Sequence, residues 1–136
     1  MILRVEHIGI AVKDRTQASK LFESLLNRPS YKSEEVQREG VVTEFFQTGE
    51  TKIELLEATN PESPIAKFIA KKGEGMHHIA FEVDDINAEM ARLKAAGFEL
   101  LSDTPKSGAD NKLICFLHPK FTGGVLVELC QTNPIS

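Results

Sequence analysis

A chain of 136 residues that is 41% hydrophobic and 26% charged has the make-up of one folded domain, not of a disordered tail. Its formal net charge of −4 argues against a nucleic-acid partner, which would call for a concentrated basic face. No apolar run is long enough to span a bilayer and no basic-then-apolar leader precedes the first strand-like segment, so no membrane partner is expected.

Met1-Ile2-Leu3-Arg4-Val5-Glu6 runs straight into His7-Ile8-Gly9-Ile10-Ala11-Val12, which alternates as a strand does. Residues two apart share a face, so Ile8, Ile10 and Val12 suit packing under helices, while His7, Gly9 and Ala11 line the other side. Ala18, Leu21, Phe22, Leu25 and Leu26 then recur at helical spacing, and Arg28-Pro29 closes that helix. Three strands follow at Tyr31–Val36, Val41–Gln47 and Thr51–Glu57, the last two joined through Thr48-Gly49-Glu50. Ser63-Pro64 reads as the start of a short linker helix that buries Ile65, Phe68 and Ile69 and stops at Lys71-Lys72-Gly73.

The pattern then begins again. His78-Ile79-Ala80-Phe81-Glu82-Val83-Asp84-Asp85 echoes the first strand with an offset of 71 residues, and Ile86, Met90, Leu93 and Ala96 form a second helical stripe ended by Gly97. Strands are expected at Phe98–Ser102, Lys112–His118 and Gly124–Gln131. The two closing strands, Lys52-Ile53-Glu54-Leu55-Leu56-Glu57 and Leu126-Val127-Glu128-Leu129-Cys130-Gln131, match at an offset of 74. The fold class is therefore α+β. Two pseudo-symmetric βαβββ modules (1–60 and 75–132, linker helix 61–74) form one curved, cleft-bearing mixed sheet with helices outside, as a single domain.

Four positions stand out. In each first strand the inner face carries one imidazole followed by very small residues, which leaves room: His7 with Gly9 and Ala11, and His78 with Ala80. In each closing strand one carboxylate, Glu54 or Glu128, sits among apolar neighbours, where it needs a partner. Two His and two Glu on inner faces would satisfy one another through a borderline divalent metal. The plainer alternatives stay open, because a lone strand His is commonly a satisfied core residue and a lone strand Glu commonly faces solvent. The doubled histidine is resolved by the repeat: His78 aligns with His7, and His77 falls one step out of phase. Cys115 and Cys130 both lie in apolar strand runs and read as small core residues of a protein in a reducing cytoplasm, not as a disulfide.

The segments Val5–Val12, Thr51–Glu57, Gly75–Ile86, His118-Pro119-Lys120 and Gly124–Leu129 together resemble the methylmalonyl-CoA epimerase family of the vicinal oxygen chelate (glyoxalase/bleomycin resistance/dioxygenase) superfamily. The resemblance runs in order over nearly the whole chain. It implies His7, Glu54, His78 and Glu128 as metal ligands, with Co2+ the first choice and Mn2+, Ni2+ or Zn2+ as alternatives. It also implies interconversion of the C2 stereoisomers of methylmalonyl-CoA, by removal and return of the α-proton through a metal-stabilised enolate. Inversion calls for an acid/base on each face of that enolate. Glu128 is the first candidate. Some family members carry a Glu three residues after the Gly matching Gly40. Here that place is Thr43, with Glu44 one residue later, so Glu44 serves as the second only if a bulge re-aims it. Lys106, Ser107 and Lys120 are candidates for binding the acyl-CoA substrate, and Asp110 is a departure from the family's glycine-rich stretch. A homodimer is implied as well. The same scaffold also serves glyoxalase I-type lyases acting on hemithioacetals, ring-cleaving dioxygenases and non-enzymatic binding modules. The four-donor set suits the dioxygenase least.

Overall fold

The computed structural model describes residues 1–133. In chain order these form β1 (Ile2–Ala11), α1 (Arg15–Leu26), β2 (Lys32–Val36), β3 (Val41–Thr48), β4 (Thr51–Ala58), α2 (Pro64–Lys72), β5 (Gly75–Val83), α3 (Ile86–Ala95), β6 (Lys106–Ser107), β7 (Lys112–Leu117) and β8 (Val127–Thr132). That is βαβββ twice, with α2 between. The strand order is β2-β3-β4-β1-β5-β8-β7-β6. The β1–β4 and β5–β8 pairs are parallel and the hairpin pairs antiparallel, so the sheet is mixed. Two compact units share the chain, His7–His77 in one, and Met1–Glu6 with the chain from His78 in the other, so that β1 contributes to both.

In the unit of His7–His77, α1 starts where Asp14 accepts a hydrogen bond from the Gln17 N–H at 3.1 Å. It ends one residue before the expected Arg28-Pro29, because Asn27 takes the left-handed conformation (φ 56°) that closes a helix. Ala18, Phe22 and Leu26 pack on Ile10, Val12, Phe46, Ile53 and Leu55, the apolar face of β1 and its neighbours. Leu21 and Leu25, expected in the same stripe, are 68% and 73% exposed on the flank of the helix.

The linker helix packs on the face of the sheet opposite α1. Ile65, Phe68 and Ile69 of α2 pack with Ala11, Val41 and Leu56, on the face of β1 that also carries His7. Only Ile65 is fully buried; Phe68 and Ile69 are half-buried. Ser63 caps α2 through the N–H groups of Ile65 and Ala66 at 3.1 and 3.2 Å. The cap lies so close to the turn before β3 that a Cβ on Gly40 (φ +64°) would stand 2.9 Å from the Ser63 Cβ, so glycine is required there.

In the other unit, Ile86, Met90 and Leu93 of α3 bury against Val83, Cys115, Leu117 and Leu129. Asp85 caps α3 at the Ala88 N–H, as Asp14 caps α1. The expected strand Phe98–Ser102 is reduced to a single bridge, Leu100 to Leu117, and the edge strand forms later, at Lys106–Ser107. Phe98 and Leu100 pack against the α3 core, and the Asp103-Thr104-Pro105 run then interrupts the ladder, since Pro105 has no N–H to offer. The last strand starts at Val127 instead of Gly124, because Gly123 and Gly124 (φ 69° and 90°) are still turning.

Candidate active site

Each unit builds the same small constellation. In one, His7 on β1 and Glu54 on β4 place Nδ1 and Oε2 3.3 Å apart, with both side chains 6% exposed. In the other, His78 on β5 and Glu128 on β8 place Nε2 and Oε1 3.2 Å apart, at 7% and 6% exposure. The parallel ladders explain the match. Gly9, two residues after His7, is the partner of Glu54, and Ala80, two after His78, is the partner of Glu128. A small residue beside each carboxylate lets it lean toward the imidazole on the same face.

On its other flank each carboxylate has a phenylalanine. Phe45 on β3 is the ladder partner of Glu54 and Phe116 on β7 that of Glu128. Phe116 also meets the His78 ring edge-on, with centroids 5.8 Å apart. These walls were not singled out from the sequence, yet they are separated by the same 71 residues as the histidines, and that offset is the signal that could have found them. Ring walls keep water from the acids, so any charge on Glu54 or Glu128 needs partners inside the site.

Glu6 was missed too. It is 3% exposed and directly precedes the buried His7, so strict alternation breaks there. Its carboxylate lies 3.8 Å from Lys112 Nζ, which also donates to Thr132 Oγ1 at 3.0 Å.

Glu44 is placed differently from its suggested role. The β3–β4 ladder runs unbroken from Val41 to Thr48, with no bulge to re-aim it, so Glu44 stays on the face opposite Thr43, Phe45 and Glu54. There it accepts a hydrogen bond from Arg15 Nη1 at 2.5 Å and another from the Ser30 hydroxyl. It is neither solvent-facing nor beside the candidate ligands. His77 packs edge-on against Phe68 of α2, with centroids 4.9 Å apart, and leaves the ligand position to His78. Lys106 and Ser107 are exposed on β6, and Lys120 is exposed in the 3-10 turn Pro119–Phe121, its Nζ 5.7 Å from the Phe121 ring centre. His118 caps that turn by accepting from the Lys120 N–H at 3.1 Å. Asp110 and Asn111 form the left-handed turn into β7, with φ of 59° and 57°.

The thiols are inert by position. Cys115 and Cys130 are unpaired and fully buried, and their ladder partners (Leu129 and Ile114) put them on opposite faces of the sheet. Burial pushes both thiols above the ordinary range, and the nearby Glu128 carboxylate adds to the effect on Cys130.

The donor chemistry of the two pairs fits a divalent metal: buried imidazole nitrogen and carboxylate oxygen at hydrogen-bond separation, on neighbouring strands that hold them there. Residues 6–116 match the family model described as the glyoxalase/bleomycin resistance protein/dioxygenase superfamily. The chain is 43% identical over 129 residues to human mitochondrial methylmalonyl-CoA epimerase, covering 94% of this chain and 73% of that protein. It is 43% identical over 133 residues to an ethylmalonyl-CoA/methylmalonyl-CoA epimerase of Cereibacter sphaeroides, covering 96% and 99%. Among solved structures, a methylmalonyl-CoA epimerase in complex with methylmalonyl-CoA and NH4+ superposes with a TM-score of 0.92 at 32% identity, over 100% of this chain and 99% of that one.

Proposed function

The chain belongs to the glyoxalase/bleomycin resistance protein/dioxygenase superfamily, and from that footing we propose that it is an isomerase that interconverts the C2 stereoisomers of methylmalonyl-CoA. The observation that carries the reading is the repeated His–Glu pair, His7–Glu54 and His78–Glu128, in a chain whose relatives are named for that reaction. In this reading the four residues hold one divalent metal, with Co2+ the first choice. When bound, the metal offsets the negative charge that loss of the α-proton places on the thioester oxygen.

The rest falls to the chain itself. Glu128 takes the C2 proton, and the His78 nitrogen 3.2 Å from its carboxylate holds the acid in position. Phe116 and Ala80 fill the space beside it, which keeps bulk water from the charge that develops. The C2–H bond breaks toward Glu128, and a new C2–H bond forms on the opposite face. Glu44 lies on the sheet face opposite Glu54, so in this reading the returning proton comes from water, and the hydroxide left behind takes the proton held by Glu128. Lys106, Ser107 and Lys120 are the groups assigned to the anionic parts of the acyl-CoA. No described helix is long and apolar enough to cross a membrane. A homodimer in a reducing cytoplasm completes the reading, the compartment supported by two unpaired buried thiols.

The test is methylmalonyl-CoA with the Co2+-reconstituted protein in deuterated buffer. Deuterium should enter C2, and the exchange should vanish in Glu128→Ala. Turnover of a hemithioacetal with no exchange at C2 would replace this reading with a glyoxalase I-type one.

A further inference from the structure

The internal repeat extends past the His–Glu pairs to a second device on the other side of the sheet. Three residues after Glu54, β4 presents Glu57. Three residues after Glu128, β8 presents Gln131. An odd step along a strand changes face, so both side chains point to the side where α1 and α3 pack. Each meets the same atom of its helix. Glu57 Oε1 accepts from the backbone N–H of Arg15, the first residue of α1, at 3.3 Å. Gln131 Oε1 accepts from the backbone N–H of Ile86, the first residue of α3, at 2.7 Å. Glu57 and Gln131 are 74 residues apart, as are Glu54 and Glu128, and Arg15 and Ile86 are 71 apart, as are His7 and His78.

The connectivity gives the contact its consequence. α1 follows the strand of His7 after Val12-Lys13-Asp14, and α3 follows the strand of His78 after Asp84-Asp85. A helix start is a rigid point with unpaired N–H donors. One hydrogen bond from that point to the closing strand therefore ties the glutamate strand to the histidine strand from behind. A slip of one residue between the two would swing Glu54 or Glu128 to the opposite face.

We propose that Glu57 and Gln131 are equivalent positioning residues, each holding the imidazole and carboxylate of its own half at bonding distance by locking the closing strand to the helix that follows the histidine strand. They touch neither substrate nor ligand atoms and act through Glu54 and Glu128. The two halves reach this with different chemistry, a carboxylate in one and a carboxamide in the other. What they share is an acceptor oxygen at the end of a side chain of equal length. In the first half, Glu57 also lies 3.6 Å from Arg15 Nε, an addition the second half lacks because residue 86 is isoleucine.

The inference rests on the metal reading above, and the full-length protein tests it with Co2+ alone. Glu57→Leu and Gln131→Leu should each weaken Co2+ binding about tenfold, the scale of losing a supporting hydrogen bond behind a metal ligand. Each should also change the visible absorption of the bound Co2+. Glu57→Gln and Gln131→Glu keep the acceptor and should bind within about twofold of the parent. A Leu variant with a lowered Tm but unchanged Co2+ affinity and spectrum overturns the proposal, since it would make the contact structural only. If a Leu variant does not fold, Gln131→Asn decides, because its amide is one methylene too short to reach Ile86. Parent-like Co2+ binding by that variant overturns the proposal. A parent protein that takes up no Co2+ overturns the metal reading and the positioning role with it, and that result is distinct from a parent that binds while the variants match it.

Discussion

Glu128 sits 3.2 Å from His78 with Ala80 and Phe116 as its ladder partners, and Glu54 sits 3.3 Å from His7 with Gly9 and Phe45 as its own. Two buried acid–imidazole pairs are thus built twice from one plan. Each carboxylate has one small ladder partner on one side and one ring-bearing partner on the other, so its charge depends on partners inside the site.

In the proposed reaction Glu128 has the heavier duty, as ligand and base. Glu128→Gln keeps the shape and removes the basicity, so exchange of the C2 proton should fall by about 10²–10⁴-fold with the far-ultraviolet circular dichroism unchanged. Mass spectrometry of the substrate after incubation in deuterated buffer reads the result.

Glu44 should behave as a fold residue. Its carboxylate is held by Arg15 and Ser30 on the face away from Glu54. Glu44→Gln should cost about 1.5–3 kcal/mol of stability in urea unfolding, the scale of a hydrogen bond to a charged group. The rate of C2 exchange in the folded variant should stay within about twofold of the parent, because in the proposed reaction no proton passes through Glu44.

Acid sensitivity should centre on Glu89, a 4% exposed residue of α3. Hydrogen bonds from Arg92 first, and then from the Met1 ammonium, hold its carboxyl down at about 2, against an ordinary 4.5. A depressed carboxyl contributes stability that is fully present above the unfolded value and lost as pH falls through the folded one. Glu89→Gln should therefore be less stable than the parent at pH 7, and the gap should narrow from about pH 4.5 and close near pH 2. Chemical denaturation at stepped pH measures that gap.

The two thiols should be silent in the native protein. With both cysteines fully buried and burial raising both thiols, Ellman's reagent at pH 8 should label neither until denaturant is added. Both should then react, since neither is in a disulfide. Rapid native labelling would contradict the burial of Cys130, whose Sγ is 3.6 Å from the Phe81 carbonyl on β5.

By itself the sequence determined what local rules and repetition can carry. Alternation put His7 and His78 on a strand face with small neighbours, the 71- and 74-residue offsets related the halves, and Ser63-Pro64 marked the start of the linker helix. These are short-range statements, because a strand pleat and a helix cap are set by residues a few places apart. Ladder register and layer packing join residues tens of positions apart, and only the tertiary structure decided them. It put Gly9 beside Glu54 and Ala80 beside Glu128, supplied Phe45 and Phe116 as walls, and folded α2 onto the face of Ala11. It also turned Glu44 toward Arg15 and left Leu21 and Leu25 exposed, since an unbroken ladder fixes the first and the position of α1 on the sheet fixes the second. The His–Glu pairs are where the two levels meet: periodicity nominates the residues, and parallel pairing of distant strands brings each imidazole within reach of its carboxylate.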